Sequence, residues 1–388
     1  MKISISLFGK FHGFYMASAF FKKGYLEKII TSYPKFLVNP KLPHKKIISL
    51  FYLEIFFRVL KFLKKFNIID IDINSLISDL FGKAASKKIG FDNDIVIGWS
   101  SKSLEIFKNL KKLNSNSIKI LERGSSHVLF QRDILREEYK LLGLKEPKFL
   151  NNNEIIKKQL EEYREADYIS VPSEFVKKSF IQNGMNSKKL IVTNYGIDET
   201  QFPNLRSRRN SEKFIILYVG STEVRKGIHY LLEAFKKIDY ENIELHIVGE
   251  VSGFLRSIMP TNNKKIKLFG HIKQAELYRF YNNSNCLVQP AIEEGQSIVQ
   301  IQSLFCGTPI IFTKNTGGID FFFNENINGD EVDIRSPTQI SKKINYYISN
   351  PEILKKNSDK ITSIANRKLT TKSYGERLIK RYNEILKR

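Results

Sequence analysis

The sequence predicts an α/β chain of two Rossmann-like domains, each a parallel sheet covered by helices, facing one another across a cleft. Three observations carry that expectation. Short apolar runs alternate with helical patterns along the whole chain, the rhythm of parallel strands joined by covering helices. The length, 388 residues, is long for one core and comfortable for two. Near the middle, Pro203-Asn204-Leu205-Arg206-Ser207-Arg208-Arg209-Asn210-Ser211 is polar, basic and aperiodic, and a fresh apolar run over 214–220 follows it.

Taken in order, strands are expected at 3–8, 35–38, 95–98, 118–122, 168–172 and 190–193. Past a boundary within 202–213 they resume at 214–220, 245–249, 266–269, 286–289 and 309–312. Helices fill the intervals. The expected division is 1–205 for a first domain, 206–370 for a second, and a closing helix in 371–388. Leu378, Ile379, Tyr382, Ile385 and Leu386 give that last helix an apolar stripe to dock on another element. Two such units collect ligands at the carboxyl ends of their strands.

Composition narrows the function. A hydrophobic share of 42% is enough for globular packing. Two cysteines, Cys286 and Cys306, sit in apolar settings, allow no framework of bridges and suit a reducing compartment. The net charge of +23 asks for a polyanionic partner or an anionic surface. Residues 41–65 concentrate it, with seven Lys and Arg against the single acid Glu54, interleaved with apolar residues. That segment is too charged to span a bilayer, which needs a run of about 20 apolar residues. It reads either as a basic helix lying in a membrane interface or as a buried helix with a solvated basic rim. No recognition motif for nucleic acid accompanies the charge, so none is expected as a partner. The chain opens directly into a strand, Met1-Lys2-Ile3-Ser4-Ile5, which favours a cytoplasmic protein, peripheral on the inner membrane face if the basic helix binds there.

The densest chemistry lies where the strand over 286–289 ends. Gln289-Pro290-Ala291-Ile292-Glu293-Glu294-Gly295-Gln296-Ser297-Ile298 is a polar glycine turn that opens a helix reaching to about residue 305 and carrying Gln302. Such a turn leaves unpaired amides at a helix start, where the macrodipole favours an anion, with Glu294 beside them. An anion site next to a carboxylate suits a ligand bearing both phosphate and hydroxyls. Earlier, Gly220-Ser221-Thr222-Glu223-Val224-Arg225-Lys226-Gly227 also leaves a strand and opens a helix. Two adjacent cations at a helix start are unfavourable unless an anion sits between them. Gly249 ends the next strand, and Phe269-Gly270-His271-Ile272 the one after; His271 reads equally as ligand or as solvated turn residue. In the first half, Phe8-Gly9-Lys10-Phe11-His12-Gly13 has glycines that permit close backbone approach, and Glu122-Arg123-Gly124-Ser125-Ser126-His127 gathers five polar side chains in six residues. Neither a Rossmann fingerprint nor a Walker lysine occurs, which speaks against dinucleotide or ATP use. Ser173 of Val171-Pro172-Ser173-Glu174 reads as a helix cap.

These stretches resemble glycosyltransferase family 4, retaining enzymes of the GT-B fold. In that family Pro-x-x-x-Glu-Gly-Phe-Gly leads into a helix with a second Glu, and a Gly-Arg…Lys-Gly motif follows the first strand of the second domain. The likeness runs from Phe8 to the last helix and is strongest over 214–309. It implies a nucleotide-diphosphate sugar as donor, bound by Gly9, Gly220, Ser221, Gly249, Ile272, Gly295, Gln296, Ser297, Ile298 and Gln302. Arg225 and Lys226 would stabilise the departing diphosphate without a metal or other cofactor, Glu294 would orient the sugar, and Gln302 would hold the ribose where the family has Glu. The family's Arg position is Ser221 here, with Arg225 as its substitute. His127 takes the family's His role near the reacting face, or caps a helix with Ser125 and Ser126. Lys10, His12, Arg123 and Ser125 would meet a glycan or lipid-linked acceptor, as in lipopolysaccharide or capsule assembly. The departures at Ser221 and Gln302 also allow a second reading, a catalytically impaired GT-B protein that binds a glycan or a partner. In the GT-B fold the last helix crosses back to the first domain.

Overall fold

Two parallel sheets with helices on both faces make up the computed structural model, which describes residues 1–10, 12–38, 42–206, 212–260, 263–321 and 327–387. The first sheet takes β1 (Ile3–Leu7), β2 (Leu26–Thr31), β3 (Ile47–Ser49), β4 (Ile95–Trp99), β5 (Ile118–Glu122), β6 (Tyr168–Val171) and β7 (Leu190–Val192), in the order 3-2-1-4-5-6-7. The second takes β8 (Phe214–Val219), β9 (Ile243–Val248), β10 (Ile266–Gly270), β11 (Cys286–Gln289), β12 (Ile310–Thr313) and β13 (Gly329–Val332), in the order 10-9-8-11-12-13. Every pairing between these strands is parallel.

The helices of the first half are α1 (Gly13–Lys22), α2 (Phe51–Lys65), α3 (Ile73–Ile89), α4 (Leu104–Lys112), α5 (Val128–Leu141), α6 (Asn153–Glu165) and α7 (Glu174–Gln182). The second half adds α8 (Ile228–Lys236), α9 (Gly253–Ile258), α10 (Leu277–Asn283), α11 (Ile298–Phe305), α12 (Pro337–Ser349), α13 (Pro351–Lys368) and α14 (Thr371–Leu386). Strands buried on both faces explain the near-continuous apolar runs. Ile3, Ile5 and Leu7 of β1 pack toward α1 and α14, while Ile30, Val96 and Leu121 of neighbouring strands pack toward α3 and α4. Ser173 caps α7 as its sequence suggested, accepting from the Val176 amide at 3.2 Å. Both cysteines are buried, and burial pushes the Cys306 thiol up to about 12.

Two expectations need correction. Residues 35–38 do not form a strand; Lys35–Leu37 is a 3-10 turn entered from Pro34, with Phe36 80% exposed. The sheet instead uses β2, whose Glu27 and Lys28 interrupt its apolar run, and the short β3. A proline before the run and the exposure of Phe36 and Leu37, with only Val38 reaching the core, go with a turn rather than a strand there. The basic segment is also not one helix. His44–Lys46 is a 3-10 turn, β3 follows, and the helix covers only Phe51–Lys65; Lys41 and residues 207–211 of the expected boundary lie outside the described residues. The buried-helix alternative fails as well. Within α2 only Leu53 and Leu60 are buried, whereas Phe51, Tyr52, Ile55, Phe56, Val59 and Phe62 are exposed.

The last helix returns to the first sheet. Phe20 of α1 and Tyr382 of α14 stack with ring centroids 5.6 Å apart. Gly375 lets the two helices touch, since a Cβ there would stand 2.6 Å from the Ala19 Cβ. Gly375→Val should therefore destabilise the fold by about 2 kcal/mol through overpacking. Urea unfolding would register this as a lower midpoint at unchanged slope; an unmoved midpoint would mean that the helices have room to part.

Candidate active site at the two switch points

In each sheet the strand order reverses once, between β1 and β4 and between β8 and β11. The carboxyl ends of strands at such a reversal flank a crevice, the usual ligand position in open α/β sheets. The segments leaving β8 and β11 are the cation turn and the Glu-Gly turn. Val224–Lys226 is a 3-10 turn closed by Gly227 in the left-handed region at φ 66°. A Cβ at Gly227 would strike the Pro290 carbonyl, and the Ile292 amide donates to the Arg225 carbonyl at 2.9 Å. The two turns are thus pinned together, which brings their side chains face to face.

Arg225 reaches the Glu293 carboxylate at 3.3 Å and the Glu294 carboxylate at 3.9 Å, and Lys226 pairs with Glu294. Burial, then the neighbouring Arg225, pull the Lys226 ammonium down to about 7. Gly220 and Gly249 form the floor, and a Cβ on Gly249 would overlap the Gly220 carbonyl. The Ser221 carbonyl accepts from the Tyr218 hydroxyl at 2.6 Å. Ser297 begins α11 without a side-chain cap, and Ile298, in its first turn, is partly exposed. Ile272 is half-buried beyond β10, while His271 is exposed, a solvated turn residue.

The residue that sequence reasoning missed is Glu293. It is 0% exposed, and across the interface it accepts from the Ser126 amide at 3.0 Å, the Ser126 hydroxyl at 2.8 Å and the Gln131 amide at 2.7 Å. Burial alone would raise its carboxyl; Arg225 first, then the bonds from Ser126 and Gln131, outweigh that and hold it below the usual range. Next to it, Gly295 accepts from the Ser173 hydroxyl at 2.6 Å and lies against the Gly124 carbonyl, where any Cβ would collide. The signal available was the pair Glu293-Glu294 itself, since adjacent side chains in extended backbone point opposite ways.

The first-half residues divide. Gly9, at φ 87°, donates its amide to Ser32 and accepts from Thr31, both at 2.8 Å, and Lys10 is exposed beside it. His12 stands 3.5 Å from the Glu122 carboxylate, its ring tilted 35° to that of Tyr195 with centroids 4.1 Å apart. Ser125 is partly exposed on the cleft-side turn that meets Gly295. Arg123, in contrast, is buried, binding the Ser126 carbonyl at 3.1 and 2.9 Å and Gln159 at 3.2 Å, so it shapes the turn rather than facing an acceptor.

Of the two expectations for His127, the structure shows the helix cap and not a side chain facing the cleft. Its Nδ1 accepts from the Leu129 amide at 3.3 Å as the cap of α5, and its ring packs against Tyr163 and Phe180. Burial, then Arg123, bring it down to about 4, so near neutral pH it is an uncharged core residue. Two donor-site expectations shift likewise. Gln296 turns to the first half, accepting from the Tyr195 amide at 2.5 Å, and the Gln302 carbonyl oxygen accepts from the buried Tyr281 hydroxyl at 2.7 Å.

Residues 202–365 match the family model described as glycosyl transferases group 1. The capsular polysaccharide biosynthesis glycosyltransferase CapM of Staphylococcus aureus is 26% identical over 243 residues, 57% of this chain and 62% of that one. The chain spans about half the length of the curated relatives it matches. Among solved structures, a sucrose-phosphate synthase of Thermosynechococcus elongatus superposes with a TM-score of 0.69 at 17% identity, covering 99% of both chains. HepE of Anabaena in complex with UDP and glucose superposes at 0.65 and 12% identity, again over 99% of both.

Replacing Glu293 by Ala would leave Arg225 and the Ser126 amide facing each other without their anion, and should cost about 3 kcal/mol in urea unfolding. Because the folded carboxyl lies below its unfolded value, its contribution is full above about pH 4.3 and fades as pH falls through the folded value. Glu293→Gln should accordingly flatten the acid limb of the stability profile. A variant as acid-sensitive as the parent would show that this carboxyl does not govern it.

Proposed function

We propose that this GT-B chain, whose residues 202–365 match the group 1 glycosyl transferases, is a retaining, metal-independent hexosyltransferase. It moves a sugar from a nucleoside-diphosphate sugar to a glycan or lipid-linked acceptor in cell-surface polysaccharide assembly, lipopolysaccharide or capsule. The observation that carries the reading is the convergence of Arg225, Lys226 and Glu294 on one crevice at the head of α11. The name of the Staphylococcus relative supports the pathway, and the bound UDP of the Anabaena structure supports the donor class. On this reading 1–205 holds the acceptor, 206–370 the donor, and 371–388 straps the two.

The chemistry follows from charge. A diphosphate entering the crevice offers Lys226 a stronger partner than Glu294, and releases that carboxylate to accept from sugar hydroxyls. As the bond from the sugar's anomeric carbon to phosphate breaks, negative charge grows on the leaving oxygen, where Arg225, Lys226 and the first-turn amides of α11 stabilise it. The acceptor oxygen bonds to the same face of the anomeric carbon, and its proton passes to the leaving phosphate. No protein nucleophile is required. The exposed apolar face of α2, flanked by Arg58, Lys61, Lys64 and Lys65, suits docking on an anionic membrane and hence a lipid-linked acceptor.

A second reading rests on Gln302, whose acceptor oxygen is already committed to Tyr281. A donor site that binds but does not turn over would make the chain a glycan or partner binder. Tight UDP or GDP binding with no transfer or hydrolysis from a panel of nucleotide sugars would favour it.

Lys226→Ala should lower turnover on the active nucleotide sugar by about a hundredfold or more; unchanged turnover would remove the reading. Since burial and then Arg225 pull the Lys226 ammonium down to about 7, and the diphosphate takes its protonated form, affinity for UDP or GDP should fall as pH rises above that value. Calorimetry of wild type against Lys226→Arg checks this, the arginine variant being expected to bind without that dependence. For the membrane, Phe56→Ser with Phe62→Ser should release the protein from phosphatidylglycerol vesicles in a co-sedimentation assay at low salt. Persistent sedimentation would exclude α2 as the anchor.

A further inference from the structure

The crevice of the first sheet holds a cation that the reading above does not use. Lys102 lies between β4 and α4, and Phe8 leaves β1, so the two stand on either side of the strand-order reversal. The Lys102 ammonium is 5.8 Å from the centre of the Phe8 ring. That ring meets Phe57 of α2 edge-on at 5.6 Å and Phe81 of α3 at 5.5 Å. Gly9 is tied to the same helix, since Ser32, which accepts its amide, donates to Glu54 at 3.1 Å. The inner end of the exposed apolar helix and the crevice therefore share one wall.

Every carboxylate near Lys102 already has a partner. Glu162 accepts the amides of Ser101, Ser103 and Leu104 at 2.6, 2.7 and 3.2 Å, and so occupies the head of α4. Asp79 and Glu105 hold Lys158 at 2.7 and 2.8 Å. Lys102 is left without an ion pair among the described residues. Burial, then Lys158, pull its ammonium down to about 8 against the pull of Glu162, Asp79 and Glu105. A partly buried ammonium that feels carboxylates only at a distance gains from an anion that reaches it directly. With the α4 amides taken, Lys102 is a cation of this crevice whose ammonium makes no contact ion pair among the described residues, and Lys10, further along the loop that Phe8 begins, is exposed.

We propose that Lys102 holds a phosphate ester of the acceptor in the crevice between β1 and β4, beside the root of α2. This rests on the transferase reading and adds to it the chemical class of acceptor, a phosphate-bearing one, with Lys102 as a specificity-determining residue. A lysine ammonium is a compact point charge suited to a phosphate oxygen at an interface where phosphate groups are dense. The ester comes either from a soluble sugar phosphate or from a lipid headgroup.

Acetylation of the intact folded protein at pH 8, followed by peptide mass spectrometry, distinguishes these cases. A small anion at contact distance should slow acetylation of Lys102 by at least about fivefold. The soluble arm uses glycerol phosphate; the lipid arm uses phosphatidylglycerol vesicles against vesicles of phosphate-free digalactosyldiacylglycerol. Exposed Lys87 on α3 serves as internal reference. Protection of Lys102 by glycerol phosphate assigns the soluble source, and protection by phosphatidylglycerol alone assigns the headgroup. Lack of protection in both arms, equal protection by the phosphate-free galactolipid vesicles, or a Lys102 that never reacts while Lys87 does would each overturn the proposal. The labelling needs neither donor nor turnover, so failure of the transferase reading would show in the Lys226 experiments and not here.

Discussion

The structure depends on one buried carboxylate. Glu293 belongs to the second half of the chain, yet two of its three partners, Ser126 and Gln131, come from the first; the third is Arg225 of its own half. A charge taken wholly out of water is tolerable only if it is fully bonded, because leaving it unpaired costs several kcal/mol. Glu293 meets that condition only while the two sheets are together. The same anion fixes where the Arg225 guanidinium points, so closure of the cleft and placement of the cation turn are one event.

A second buried carboxylate repeats the arrangement at the far end of α5. Glu138 accepts from His229 at 2.9 Å, from Tyr230 at 2.8 Å and from Arg335 at 2.6 Å, all in the second half. Helix α5 is thus held near its start by Glu293 and near its end by Glu138's partners. Where polar groups gather, glycine does the close work: Gly295 against Gly124 and Gly227 against Pro290 leave no room for a side chain. Away from these contacts, at the opposite edge of the first sheet, β3 leads into α2 with its apolar face uncovered.

Much of this was legible in the sequence because it is local. Alternation of apolar runs and helical patterns located both sheets, and adjacent Arg225 and Lys226 at a helix start marked the turn that the structure sets against Glu293 and Glu294. What stayed hidden depends on residues far apart in the chain. His127 looked like chemistry in a polar run, but Tyr163 and Phe180 enclose its ring. Glu293 and Glu294 are indistinguishable by type; one turns to the first half and the other to Lys226 only because the backbone between them is pinned. Gln296 and Gln302 are engaged by Tyr195 and Tyr281, partners that no spacing rule connects to them. Residues 35–38 were apolar enough for a strand, yet only Val38 reaches the core and Phe36 and Leu37 face outward.

The account stands on the claim that Lys226 exchanges Glu294 for a diphosphate held at the head of α11. A crystal of the protein soaked with UDP or GDP tests it most directly. The account predicts density for the terminal phosphate within hydrogen-bond distance of the Lys226 ammonium, with Glu294 turned away from that ammonium and Glu293 still on Ser126. A diphosphate bound elsewhere, or bound while Lys226 remains on Glu294, would contradict it.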